Sequence, residues 1–437
     1  MASVAATPGR VERTRESTLT APLRLPIEYS VLLTVTLCLL AGGAVMVYSA
    51  SAPAALSGGS TGGMSALIRF VVYGGVGLVV LRVAARVDLE SVRRLTGPLL
   101  VVSFALLVAV RIPGLGHGTL GAQRWVGAGP VQFEPSELMK LALILYSAHV
   151  LSRGRPDGRA LATAVKRLAL VGVPAALLVA SQPDIGTTMV IVVVLFAILI
   201  AAGVSMRLLA VAALVGAAAV VLFAIAVPYA GARLTSFIDP QAHATTSGYQ
   251  SLQSQIAIGS GGFFGRGPGA GLQKDFWLPE SPTDFILAVI GEEVGFVGIA
   301  VLLALYGLIA FAGLRAAHHA KSAYAMMIGV GVTSLIVLQA TLNVFAVLGI
   351  APVTGVPLPF VSYGASNLLV MLASMGLLLN VAGGGAGHLR AVRGTRRRKA
   401  KRSVDDRTAE DRDRSRRDRW ARRAGPRRGG RAEGAPG

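Results

Sequence analysis

Gly186-Thr187-Thr188-Met189-Val190-Ile191-Val192-Val193-Val194-Leu195-Phe196-Ala197-Ile198-Leu199-Ile200-Ala201-Ala202-Gly203-Val204 contains no charged residue and is bounded by Asp184 and Arg207. Wound as an α-helix at ~1.5 Å per residue, a run of this length matches a hydrocarbon core about 30 Å thick. Nine further segments resemble it: roughly 29–49, 66–85, 96–112, 135–152, 165–181, 207–228, 284–314, 323–349 and 361–383. The third and fifth in chain order (96–112 and 165–181) are short. The eighth, 284–314, is long enough to tilt or to run past the interface. Composition agrees: 53% of residues are hydrophobic and 15% are charged, whereas soluble domains carry about 25% charged residues. The expected fold is an all-α polytopic membrane protein with about ten transmembrane helices.

Lys and Arg assign the sides. Arg82, Arg86, Arg93 and Arg94 fall in one loop, Arg153, Arg155, Arg159, Lys166 and Arg167 in a second, Arg207 in a third, and Arg315 and Lys321 in a fourth. These alternate with loops poorer in basic residues, so the positive-inside rule puts both termini in the cytoplasm. The expected organisation is a cytoplasmic segment 1–28, a transmembrane domain 29–385 with a large outer loop 229–283 between the seventh and eighth spans, and a tail 386–437. That tail holds 19 Lys and Arg against 7 Asp and Glu, which is most of the chain's net charge of +20. It is too polar to bury a core and is read as disordered. Anionic lipid or a partner protein is its expected contact. Nucleic acid is not, because stacking aromatics are lacking beyond Trp420. The run Tyr29 to Ser49 exceeds a signal-peptide core and is read as an uncleaved first span. Cys38 is the single cysteine, which excludes an intrachain disulfide and a cysteine metal cluster.

Four outward stretches concentrate Pro, Gly and polar residues: 113–135, Gln182 to Asp184, 229–283 and 350–362. Such a shared face reads as a site. The first contains Gln123-Arg124-Trp125 and then Glu134-Pro135-Ser136-Glu137-Leu138-Met139-Lys140. Pro135 suits a first helical turn, and Glu137 and Lys140 share one helix face. They either form a salt bridge or, with Arg124, bind a diphosphate. Asp184, beside Pro183 and Gly186, either caps a helix or holds a cation or a sugar hydroxyl. Asp284 opens the eighth segment after Leu278-Pro279-Glu280-Ser281-Pro282-Thr283. It is either an N-cap or a functional carboxylate at the water–lipid boundary. Glu292 lies about two turns deeper and is expected to pair within the bundle. The glycines of 259–271 lack the context of a Rossmann or P-loop motif and read as a flexible loop. The fourth stretch, Pro352-Val353-Thr354-Gly355-Val356-Pro357-Leu358-Pro359-Phe360-Val361-Ser362-Tyr363, is stiffened by three prolines. Asn343 is expected to make an interhelical hydrogen bond.

Taken in order, these four motifs and ten spans resemble the SEDS family (FtsW/RodA/SpoVE) over residues 29–385. The resemblance implies a peptidoglycan glycosyltransferase of the bacterial inner membrane, working on its outer face. It implies lipid II and undecaprenyl-linked glycan as substrates and a class B penicillin-binding protein as partner. Carried over by motif, Asp284 is the catalytic aspartate, and Arg124, Glu137, Lys140, Asp184 and Ser362 are substrate-binding. Glu134 departs from the family's usual Gln and adds a negative charge there. Ser281-Pro282 stands where His is common before Thr-Asp, and Ala365 replaces a frequent Gly. One inversion converts an α-linked donor into a β-1,4 glycan, so a single general base suffices. The diphosphate leaves as a stable anion, with cations in place of the acid that glycosidases need. No metal-ligand cluster is visible, so a divalent cation, Mg or Mn, would travel with the diphosphate. Val45 to Ser51 and Gln273-Lys274 favour the division member over an elongation polymerase. The rival readings are a lipid II flippase, which needs a polar path on the cytoplasmic side, and a noncatalytic scaffold for a transpeptidase.

Overall fold

The apolar segments become helices because a helix satisfies its backbone hydrogen bonds within a single segment in lipid. In the computed structural model, residues 26–55, 63–119, 122–128, 131–152, 158–226, 228–246, 248–275 and 277–384 are described. The basic tail and most of the N-terminal segment lie outside them. The helices are α1 (Ile27–Ser51), α2 (Gly63–Ala84), α3 (Leu89–Ala109), α4 (Pro135–Leu151), α5 (Gly158–Ala180), α6 (Ile185–Ala201), α7 (Met206–Ala226), α8 (Pro228–Ile238), α9 (Tyr249–Gly261), α10 (Ile286–Glu293), α11 (Gly295–His318), α12 (Ala323–Val347) and α13 (Ala365–Ala382). Nine of the ten expected segments each coincide with one helix, and the eighth, 284–314, covers two, α10 and α11. Seven helices among the described residues are long and apolar enough to cross a membrane; α6 and the apolar part of α7 are shorter.

The centre is set by α12 and α13, whose most apolar windows are 61% and 83% buried, against 22–39% for the other five. Helix α13 runs along α2, and α12 packs on α11, α6 and α4. Small residues make this closeness available. A Cβ on Gly376 would strike the backbone of Leu81, and one on Gly77 would strike the Leu372 side chain.

Three features depart from the sequence reading. First, the chain is not purely helical. Strands β1 (Gly116–Thr119), β2 (Ala122–Ala128) and β3 (Val131–Phe133) form an antiparallel sheet of order β1-β2-β3. Second, the expected loop 229–283 contains α8 and α9.

Third, the eighth segment is broken. Helix α10 ends at Glu293, and α11 starts at Gly295 with φ of 76°. The first amides of α11 are capped by backbone: Phe296 N donates to the Gly262 carbonyl (3.0 Å) and Val297 N to that of Phe263 (3.2 Å). Glu292 and Glu293 therefore do not sit in a continuous span. Glu292 accepts from the Leu272 amide (2.9 Å) and the Gln273 amide (3.1 Å). Glu293 accepts from the Gly269 amide (3.0 Å), the Ser49 hydroxyl (2.7 Å) and the Lys274 ammonium (2.6 Å). The glycine-rich run thus forms an anion-binding nest, and the anions are the chain's own carboxylates.

Candidate active site

The site lies at the loop-rich end of the bundle, where α1 and α12 finish and α4, α6 and α13 begin. Its floor is the proline-rich loop between α12 and α13, held by two amides one turn apart on α12. Asn343 Nδ2 donates to the carbonyls of Asp284 and Val356, both at 2.8 Å. Gln339 Nε2 donates to the Pro357 carbonyl (3.0 Å) and to Asn367 Oδ1 (2.8 Å). Asn343 therefore serves loop carbonyls rather than a neighbouring helix. Gln339 went unnoticed in the sequence, where a single Gln in an apolar helix gives no positional signal.

Asp284 lies in the turn before α10. The N-cap of α10 is Phe285, with no side-chain cap, so the Asp284 carboxylate is not spent on capping. It is half-buried and its pKa is pushed up to about 7, first by burial and then by the neighbouring Glu280 charge; Arg233 and Arg124 act in the opposite direction. Asp184, by contrast, does cap its helix, accepting from the Thr187 amide at 3.0 Å. It also faces Arg124, with Nη1 to Oδ1 at 3.9 Å.

Strand β2 delivers Arg124. Its Nε donates to the Gln182 carbonyl (3.4 Å) and its Nη2 to that of Pro183. The guanidinium is thereby fixed to the turn that leads into α6. Gly355 separates it from Asp284: a Cβ there would lie 3.5 Å from both Arg124 Nη1 and Asp284 Oδ2. With φ of 70°, Gly355 occupies a conformation suited to glycine and leaves a gap between cation and carboxylate.

Glu137 and Lys140 form an ion pair at 2.8 Å, each side chain 1% exposed. Lys140 also donates to Gln339 Oε1 at 2.8 Å, so its ammonium is engaged within the protein. Glu134 accepts from the Ser136 hydroxyl at 2.8 Å. Burial, then the charges of Glu137 and Asp184, raise its pKa to about 8. Its surroundings therefore weaken the negative charge that its sequence suggests. Ser362 is buried and its Oγ accepts from the Leu358 amide at 2.9 Å; its hydroxyl is used inside the loop. The structure thus groups Asp284, Arg124 and Asp184, sets Glu137 and Lys140 in the adjoining wall, and leaves Ser362 out of this network.

Arg233 of α8 was missed. It donates to the Val353 carbonyl at 3.1 Å and its charge acts on Asp284. An arginine in the midst of Ala, Gly and Leu was the available signal. Among the described residues no group of three or more His, Cys, Asp or Glu stands together as metal ligands. The described side chains offer no donor set for a resident divalent cation.

Residues 29–384 match the cell cycle protein family FtsW/RodA/SpoVE. The probable peptidoglycan glycosyltransferase FtsW of Trichlorobacter lovleyi is 37% identical over 363 residues, 83% of this chain and 95% of that one. Stage V sporulation protein E of Bacillus subtilis is 37% identical over 351 residues, 80% and 96% of the two chains. Among solved structures, a chain from a peptidoglycan synthase complex that coordinates polymerization and crosslinking superposes with a TM-score of 0.67 at 30% identity, covering 80% of this chain and 96% of that one. The rod shape determining protein RodA of Thermus thermophilus gives 0.60 at 30% identity, covering 80% and 95%. The helices, the grouped loop residues and these similarities lead to one conclusion: the chain belongs to the FtsW/RodA/SpoVE family of multi-pass membrane proteins.

Proposed function

We propose that this chain is a peptidoglycan glycosyltransferase of cell division that polymerises lipid II, with Asp284 as general base. Its relatives are named for glycosyl transfer and for sporulation, which favours a division role over elongation. The observation that carries the base assignment is the uncapped Asp284 carboxylate facing Arg124 across the Gly355 gap. Asp284 takes the proton of the acceptor 4-hydroxyl. That oxygen forms a bond to C1 of the donor sugar as the C1–O bond to the diphosphate breaks. The electron pair leaves on undecaprenyl diphosphate, and C1 inverts.

A base works best with a pKa near the working pH, which the raised pKa of Asp284 supports. Arg124, with Arg233 nearby, would stabilise the charge that develops on the leaving diphosphate. Glu137 and Lys140 support the wall behind them, and the raised pKa of Glu134 lessens its repulsion of the anion. The chemistry is read as lying on the outer face of the membrane, where lipid-linked sugars meet the growing strand. A class B penicillin-binding protein is the expected partner, in keeping with the synthase complex whose chain this fold matches.

The test is lipid II polymerisation by the purified protein with its cognate class B penicillin-binding protein, in detergent. Asp284→Asn is expected to lower the rate by about 10²–10⁴-fold; wild-type rates from that variant would exclude the assignment. Polymer formed in detergent, with no bilayer to cross, also separates an enzyme from a flippase. A scaffold would make none.

A further inference from the structure

The turn that carries Asp284 holds a second carboxylate, which the mechanism above does not use. Glu280 is exposed, four residues earlier, with φ of 57°. A residue with a Cβ enters that left-handed region at a cost of about 1–2 kcal/mol. Strain of this kind persists only where the surroundings over-determine it.

Here they do. The Glu280 carbonyl accepts from the amides of Thr283 (3.2 Å) and Phe285 (3.3 Å). Its Oε2 accepts from the Thr283 hydroxyl at 2.9 Å, which tethers the exposed carboxylate to the turn. The Pro282 carbonyl accepts from the Tyr363 amide at 2.9 Å, and Asn343 holds the Asp284 carbonyl. The turn is therefore fastened at Glu280, Pro282 and Asp284.

Four charged groups act on the Asp284 carboxylate: Glu280 from its own turn, Arg233 from α8, Arg124 from β2, and Asp184 from the start of α6. Two are cations that weaken a carboxylate as a base. Of the two anions, Glu280 has the larger effect. It opposes the very cations a leaving diphosphate requires.

We propose that Glu280 is a positioning residue for Asp284: its left-handed turn aims the base, and its tethered charge keeps that base strong beside two arginines. This rests on the reading of Asp284 as general base. Chemically, a negative neighbour makes proton uptake from a sugar hydroxyl more favourable. A site that needs both arginines for the leaving group and an effective base beside them needs such a counterweight.

The experiment is the pH dependence of kcat/KM for lipid II polymerisation by the protein–partner complex. It compares wild type, Glu280→Gln, Glu280→Gly and Asp284→Asn. Gln removes the charge and keeps a group for Thr283 to reach. Gly removes the side chain and keeps the left-handed turn unstrained, so a folded protein is assured by at least one variant. Both are expected to move the acid limb to lower pH by about half a unit, the scale of one exposed charge, and to lower the plateau rate. A limb that stays at the wild-type position in both variants, with Asp284→Asn inactive, overturns the role of Glu280 and leaves the base assignment standing. An active Asp284→Asn overturns the base assignment, and with it this proposal.

Discussion

Asp284 has to be ionised to accept a proton, and its pKa lies at about 7. Polymerisation is therefore expected to rise with pH through that value in the free enzyme, as read in kcat/KM across the range around neutrality; a rate already flat well below neutrality would contradict it. Gly355 offers a second test at the same scale. Gly355→Ala adds a methyl group to the gap between Arg124 and Asp284 and strains a backbone at φ of 70°. The strain costs about 1–2 kcal/mol, a modest stability loss. Activity is expected to fall much further, which thermal unfolding and polymerisation measured side by side will show. Asp184 and Asp284 were legible in the sequence because each is a charge at the edge of an apolar run, where water, lipid and loop meet, and Arg124 because it is the one Lys or Arg between Pro113 and Pro135. Arg233 and Gln339 were not, because their roles come from the fold bringing α8 and α12 to one loop.

At the level of elements, hydropathy located the spans because lipid enforces length and apolarity together. It gave no warning of the sheet: Gly116-His117-Gly118-Thr119 has no hydrophobic alternation, and its strand exists through pairing with β2. Nor did it reveal the break at Gly295, because Val294, Phe296 and Val297 keep the segment apolar on both sides. That break is what brings Glu292 and Glu293 to the glycine-rich run. Lys274 and Glu293 have side chains 4% and 0% exposed, so Lys274→Met would leave a buried carboxylate without its cation. The expected loss is about 3–5 kcal/mol, measured as a lower unfolding temperature in detergent. Replacing both partners by apolar residues should recover much of it. Equal stability of the single variant and wild type would show that the nest does not depend on the pair.

For the whole molecule, a membrane-spanning bundle has to carry polar chemistry without stranding charge in lipid. Its answer is pairing. Lys274 meets Glu293, Arg266 lies 3.8 Å from Glu292, and Lys140 meets Glu137. The last pair sits three residues apart on α4, within one helix, and so forms as soon as α4 does. Helix α4 then reaches the translocon as a segment with no net charge from these two residues. Either residue alone would present an uncompensated ion, with an insertion cost of up to about 3 kcal/mol. Lys140→Met alone is expected to reduce the fraction of chains that integrate α4, scored by glycosylation mapping of its flanking loops. Glu137→Leu combined with Lys140→Met should restore it. Unchanged integration of the single variant would refute this. The salt bridge beside the proposed active site would thus act first in biogenesis, before any substrate arrives.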